Sequence, residues 1–222
     1  MSITPRKCAD IAVRRVPRGE KRREEIAAVA ERVFLRRGFA ETTMQIIAEE
    51  AGASKETLYR HFGSKEELFS EVIRNRSARI TGRDDGKLCF EGLPREILRD
   101  LGRNLLRFLV SPDSRSLYRA VVAEVPREPE LGRIFYTEGP ARLLSQLAHY
   151  LAAATRLGTL CCPEPELAAK LFLGSIVSNY QILGLVAPDE DAFSDEKMLV
   201  HVNEAVSMFL ARYGVQASAA RG

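Results

Sequence analysis

Nowhere along this chain do apolar and polar side chains alternate for long enough to build the half-buried face of a β-strand. Apolar residues recur instead at three- and four-residue intervals, and glycine and proline fall mostly between the stretches that show this period. A sheet has nothing to be built from, and the fold class is expected to be all-α.

Residues 21–37 carry Ile26, Ala30, Val33 and Phe34 on one face, with Gly38 where a helix commonly stops. Short helices are expected over 43–51 and 54–62, separated by a turn at Gly52 and Ala53, and a longer one over 64–80 after Gly63. Ser64 and Glu67 form an S-x-x-E capping box in which each side chain satisfies a free amide of the first turn, and Ser54 can cap the short helix preceding that one. Residues 81–92, with Gly82, Asp84, Asp85, Gly86 and Gly92, read as a loop closing this N-terminal unit. Beyond it, helices are expected over 94–110, 113–125, 129–137, 140–154, 164–186 and 194–213, with Pro94 and Pro140 at first turns. The expected organisation is an arm over 1–20, a helix-turn-helix unit over 21–80, a larger helical domain over 81–214 and a frayed tail over 215–222.

The last two helices are apolar around much of their girth, through Leu167, Leu171, Phe172, Ile176, Ile182 and Val186 in one and Met198, Val202, Val206 and Phe209 in the other. Such helices need burial on more than one side, either at the centre of the domain or in a subunit interface.

Charge is unevenly spread. Residues 1–80 hold 17 Lys and Arg against 12 Asp and Glu, the remainder 16 against 18, so the net +3 is +5 in the N-terminal part offset by −2 elsewhere. Residues 1–23 alone hold 8 basic and 2 acidic side chains, a density suited to a polyanion such as nucleic acid or an acidic membrane surface. The apolar runs at 143–154 and 171–187 are interrupted by His149, Ser175, Ser178, Asn179 and Gln181, and neither reaches the roughly 20 uninterrupted residues of a bilayer span. No apolar segment follows the N-terminal cations as a secretory signal would require, so a cytoplasmic protein without membrane attachment is expected. Cys8, Cys89, Cys161 and Cys162 are too irregular for a disulfide framework, and His61, His149 and His201 are scattered singly. Neither a metal nor a cofactor is expected.

Residues 43–62 have the proportions of a helix-turn-helix, with Ile47, Ala48, Ala51 and Leu58 fixing the angle between two short helices so that the second can enter a major groove. Many helical hairpins pass that test. The run from Thr42 to Phe69, with Leu58-Tyr59-Arg60-His61-Phe62 at its centre, resembles the signature of the TetR family of bacterial transcriptional repressors, and the likeness extends over about residues 22–73 through Ala30, Phe34 and the Arg37-Gly38-Phe39 turn. The resemblance implies a small DNA-binding domain on a larger ligand-binding and dimerisation domain. Tyr59 and His61 match a tyrosine and a histidine that the family sets against the DNA backbone, and Lys65 a lysine at the next helix N-terminus, where free amides favour an anion. Thr57, Thr43, Arg22 and Arg23 complete the expected phosphate contacts, which position without specifying sequence.

Base reading falls to Lys55, Gln45 and Ser54, each good bidentate pair discriminating by about 1–3 kcal/mol. Gln45 has an alternative as capping-box partner of Thr42, and Tyr59 as an aromatic packed on Phe62 or the first helix. The arm with Arg14, Arg15, Arg18 and Lys21 either follows the minor groove or is solvated.

The stretch from Arg119 to Arg142 is similar to the C-terminal domain of AefR-like members, which suggests regulation of efflux or stress-linked metabolism without naming an inducer. Phe108, Tyr118, Tyr136, Tyr150, Phe172 and Asn179 are the candidate pocket residues, with ordinary core packing as the alternative for each. A small hydrophobic effector is expected to release a homodimer, paired through the last two helices, from a palindromic double-stranded operator with half-sites about 34 to 36 Å apart or further. Two rivals use the cysteines: a thiol redox switch through Cys161 and Cys162, and an enzyme pairing either with His149 or His201.

Overall fold

The computed structural model describes residues 18–81, 92–187 and 193–215, which form helices and a single isolated β-bridge between Leu160 and Gly214. The arm cations Arg14 and Arg15, the side chain of Arg18, Cys8 and Cys89, most of the expected loop over 81–92 and the tail from residue 216 lie outside the described residues.

The N-terminal unit consists of α1 (Arg18–Arg37), α2 (Met44–Glu50), α3 (Lys55–His61) and α4 (Lys65–Ala78), the last continued by a 3-10 turn, Arg79–Thr81. Gly38 ends α1 at φ +78°, its N–H donating to the Phe34 carbonyl at 2.9 Å, so the chain reverses where a side chain would be strained. Behind this turn Phe34, Phe39 and Phe69 meet with ring centroids 5.3–5.6 Å apart and tie α1 to α4.

Two capping expectations are corrected. Thr43, not Thr42, caps α2 by accepting the Ile46 N–H, while the buried Thr42 hydroxyl donates to the Gly38 carbonyl at 2.6 Å and Gln45 donates to Glu49 at 2.7 Å. Ser64 caps α4 through the Glu67 N–H, but Glu67 accepts from the amide of Gly63 at 2.8 Å, one residue before the cap.

The larger part comprises α5 (Pro94–Val110), α6 (Pro112–Glu124), α7 (Pro129–Tyr136), α8 (Arg142–Arg156), α9 (Pro165–Val186) and α10 (Asp195–Tyr213). Pro94 opens α5, but Pro140 does not open α8: it lies inside a π turn, Thr137–Ala141, that runs α7 directly into α8. The wider register of a π turn accommodates a residue without an N–H, which an α-helical interior would not.

Two apolar cores organise the fold. One fills the space between α5, α8, α9 and α10 with Leu98, Leu106, Leu147, Leu151, Phe172, Ile176, Val202 and Val206. The other belongs to the N-terminal unit, yet it takes in Leu117 and Val121 of α6 and Leu131 of α7. Apolar packing therefore continues across residue 80, and α4 shares a core with α6 and α7.

By length and composition α9 could cross a membrane, but its inner face, with Ala168, Phe172, Ile176 and Tyr180, is packed in the first core. Its outer face carries Leu167, Leu171, Ile182 and Val186 at helical spacing, and α10 adds exposed Leu199, Val200 and Met208.

Candidate nucleic-acid interface and ligand cavity

The hairpin of α2 and α3 is held together by its own packing, turn and cap. Ile47, Ala48 and Leu58 are buried between its helices, and Gly52 turns the chain at φ +58°. Ser54 caps α3, accepting the Thr57 N–H at 3.0 Å, and its hydroxyl also pairs with that of Thr57 at 2.8 Å. Burial of Leu58 on the inner side turns Lys55 and Tyr59, one helical turn apart, to the exposed side of α3. Tyr59 is 46% exposed, with the Lys55 Nζ 5.9 Å from its ring centroid, whereas Phe62 is fully buried, so the tyrosine ring presents itself to solvent. Thr43, Gln45 and Ser54 are likewise exposed, and Thr57 and His61 half-buried. Arg60, exposed beside Tyr59, is a cation on α3 that sequence reasoning did not single out, though its i, i+4 spacing from Glu56 marks it as surface.

Three of the expected phosphate donors are engaged internally. Arg22 donates to the carbonyls of Ala51 and Gly52 at 2.9 and 3.1 Å and pairs with Glu25. Arg23 donates to the His61 carbonyl, pairs with Glu71 at 2.8 Å and lies 4.3 Å from the Phe62 ring centroid. Lys65 donates to the Phe39 carbonyl at 2.8 Å and sits 4.1 Å from the Phe39 ring centroid. The carbonyls of Ala51, Gly52 and His61 lie at helix ends or in the turn, whereas that of Phe39 already accepts the Thr42 N–H at 3.2 Å and takes Lys65 as a second donor. Arg22 and Arg23 thus tie α1 to the turn before α3 and to the last residue of α3, and fix the angle at which α3 is presented.

A cavity of about 180 Å³ lies between α4, α5, α6, the π turn and α9. Its wall is mainly hydrocarbon and aromatic, with Ile73 of α4, Ile80 of the 3-10 turn, Leu105 and Phe108 of α5, Phe135 and Val177, and its polar lining residues include Arg76, Ser77, Tyr118 and Gln181. Of the six pocket candidates, Phe108 and Tyr118 line it. The other four do not line it. Tyr136 is 59% exposed because the helical phase turns Phe135 inward, where it meets the Tyr118 ring at 5.7 Å. Phe172 packs edge-on against Phe209 in the first core, and Tyr150 is buried in the same core, where desolvation pushes its phenol up to about 12. Asn179 is exposed on the outer side of α9.

The cavity sits at the junction with the N-terminal unit rather than deep in the larger domain, which is why α4 residues escaped the sequence search. Cys162 is buried and its thiol is pushed up, chiefly by desolvation, while Cys161 is exposed. This geometry lends no support to a redox switch.

A helix-turn-helix with an exposed recognition face, packed on a larger helical domain with an apolar cavity at the junction of the two, defines the class: a DNA-binding transcriptional regulator. Residues 26–72 match the bacterial regulatory proteins of the tetR family, and residues 96–215 match the C-terminal domain of the AefR-like transcriptional repressor. The chain belongs to the TetR family. A TetR-family transcriptional regulator from Mesorhizobium loti is 28% identical, with 90% of this chain and all of that one covered at a TM-score of 0.71. The flavonoid-responsive regulator FrrA is 29% identical over 89% of this chain and all of its own, at a TM-score of 0.67. The transcriptional regulator YfiR of Bacillus subtilis is 42% identical over 67 residues, a match confined to 30% of either chain.

Proposed function

We propose that the protein is a cytoplasmic, ligand-responsive repressor that binds a palindromic operator as a homodimer and leaves it when a small, largely apolar effector enters the α4–α9 cavity. The observation that carries the DNA half is the exposed pair Lys55 and Tyr59 on a recognition helix whose angle is fixed by Arg22 and Arg23. Lys55 then reads bases, with Gln45 and Ser54 beside it, and Tyr59, His61, Thr57 and Thr43 meet phosphates. Lys65, Arg22 and Arg23 reach phosphate only by sharing donors with the carbonyls they hold, so their first role is to shape the surface. The outer apolar face of α9 and α10 is the dimer interface in this reading, because it is the exposed continuation of two otherwise buried helices.

The hydrocarbon wall of the cavity supports an apolar effector, and the flavonoid response in FrrA's name fits a flat, weakly polar molecule of that kind. The test is fluorescence anisotropy with DNA from upstream of the protein's own gene and with scrambled DNA, over a salt series. Salt-sensitive binding to the upstream DNA alone is expected, weakened about tenfold or more in Tyr59→Phe at unchanged thermal stability. Equal affinity for both DNAs after site selection from random sequence, or no effect of Tyr59→Phe, overturns the reading.

A further inference from the structure

One face of α4 and of the 3-10 turn that continues it presents Phe69, Val72 and Ile73, then Arg76, then Ile80, so that a cation interrupts an apolar stripe at helical spacing. Arg76 is 3% exposed and belongs to the wall of the cavity. Its Nη1 donates to Glu31 of α1, its Nη2 donates to the Ser114 hydroxyl of α6 at 2.8 Å, and its guanidinium carbon lies 5.5 Å from the Phe108 ring centroid. The Nε–H has no acceptor among the described residues. A buried donor left unmatched in the wall of an apolar cavity favours any occupant that brings an acceptor to it. Glu31 is meanwhile held by a second cation, Arg79, at 2.8 and 3.2 Å, and does not depend on Arg76 alone.

We propose that Arg76 is the effector-reading residue: its Nε–H takes an oxygen acceptor on an otherwise apolar small molecule, and binding there loosens the hold of Arg76 on Glu31. The inference rests on the reading of this cavity as the effector site. Because Nε is covered as well as unmatched, an oxygen reaches it only when the guanidinium turns, and turning stretches the bond to Glu31. Arg79 compensates the carboxylate while this happens, so the exchange strands no charge. The helix that carries Glu31 also carries Arg22 and Arg23, which fix the recognition hairpin, so a shift of α1 against α4 alters the presentation of α3. Ligand and Glu31 are competitors for one guanidinium, and weakening either strengthens the other by linkage.

Equilibrium dialysis of the full chain with three probes of one shape tests this: 2-acetylnaphthalene, 2-naphthoate and 2-isopropylnaphthalene. Arg76→Lys keeps a cation within reach of Glu31 but has no donor at the Nε position. The ketone and the carboxylate are expected to lose about tenfold in affinity in Arg76→Lys, with the hydrocarbon changed less than about twofold. In Glu31→Gln the ketone is expected to bind at least about threefold tighter than in the parent, as linkage requires when the competing bond is weakened. Hydrocarbon binding with an equal or absent effect of Arg76→Lys on all three probes overturns the role of Arg76 while leaving the cavity reading standing. Failure of every probe to bind the parent chain overturns the cavity reading and this inference with it. Should Arg76→Lys fail to fold, unchanged ketone affinity in Glu31→Gln suffices to reject the proposal.

Discussion

Removing the two ends of the Glu31–Arg76 bridge should have very unequal consequences. In Glu31→Gln the guanidinium of Arg76, 3% exposed, loses its one ionic partner among the described residues and keeps the Ser114 hydroxyl and the face of Phe108. Stranding a buried charge typically costs about 3–5 kcal/mol, and the retained amide oxygen of Gln places this case near the lower end, about 3 kcal/mol. For a chain of this size each kcal/mol lowers Tm by about 2–4 °C, so a drop of about 6–12 °C follows. In Arg76→Met the carboxylate of Glu31 keeps Arg79, which is 58% exposed and able to follow it, the Ser114 hydroxyl keeps that of Ser111 at 2.9 Å, and the unmatched Nε–H is gone. The expected cost is under about 1 kcal/mol, since similar-volume apolar replacements of buried ions are often near neutral once no charge is stranded. Urea denaturation of both variants and of Glu31→Gln/Arg76→Met, at one protomer concentration, measures the difference and the coupling between the sites. Equal destabilisation by the two single changes, or a larger loss in Arg76→Met, would refute the asymmetry and with it the role assigned to Arg79.

Three further expectations follow from particular contacts. Arg74 donates to Glu138 at 3.0 Å, linking α4 to the π turn, and holds that carboxyl below its ordinary value near 4.5. A depressed folded-state value stabilises above the ordinary value and is lost as pH falls through the folded one, so Tm should fall more steeply below about pH 4.5 in the parent than in Glu138→Gln; identical acid profiles would rule this out. Gly52→Ala meets open space but must adopt φ +58°, and should cost about 1–2 kcal/mol in urea denaturation, with an unchanged stability showing that the turn relaxes freely. Alkylation mapped by mass spectrometry should modify exposed Cys161 well before buried Cys162, and equal labelling would contradict the packing around Cys162.

Spacing and short-range chemistry were enough to determine the helical class, the hairpin of α2 and α3 and most helix ends, while its reading as a helix-turn-helix came from the run between Thr42 and Phe69. These depend on which residues share a helix face, and on caps and turns such as Ser54, Ser64, Gly38 and Gly52 whose partners lie within a few residues. The exposed positions of Lys55 and Tyr59 were legible for the same reason, since burial of Leu58 fixes the opposite face. Long cations are a different matter. Arg22, Arg23 and Lys65 end on carbonyls 26 to 38 residues away, and Arg76 on a carboxylate 45 residues away, so their destinations depend on how helices cross rather than on local period. Phe135 and not Tyr136 faces the cavity because it lies one helical turn beyond buried Leu131 on the side of α7 that packs toward α4, a neighbour that only the crossing of the helices supplies. A sequence marks which side chains can face inward, whereas a cavity is the space several helices leave between them, and only their mutual placement decides where that space lies and which cation borders it.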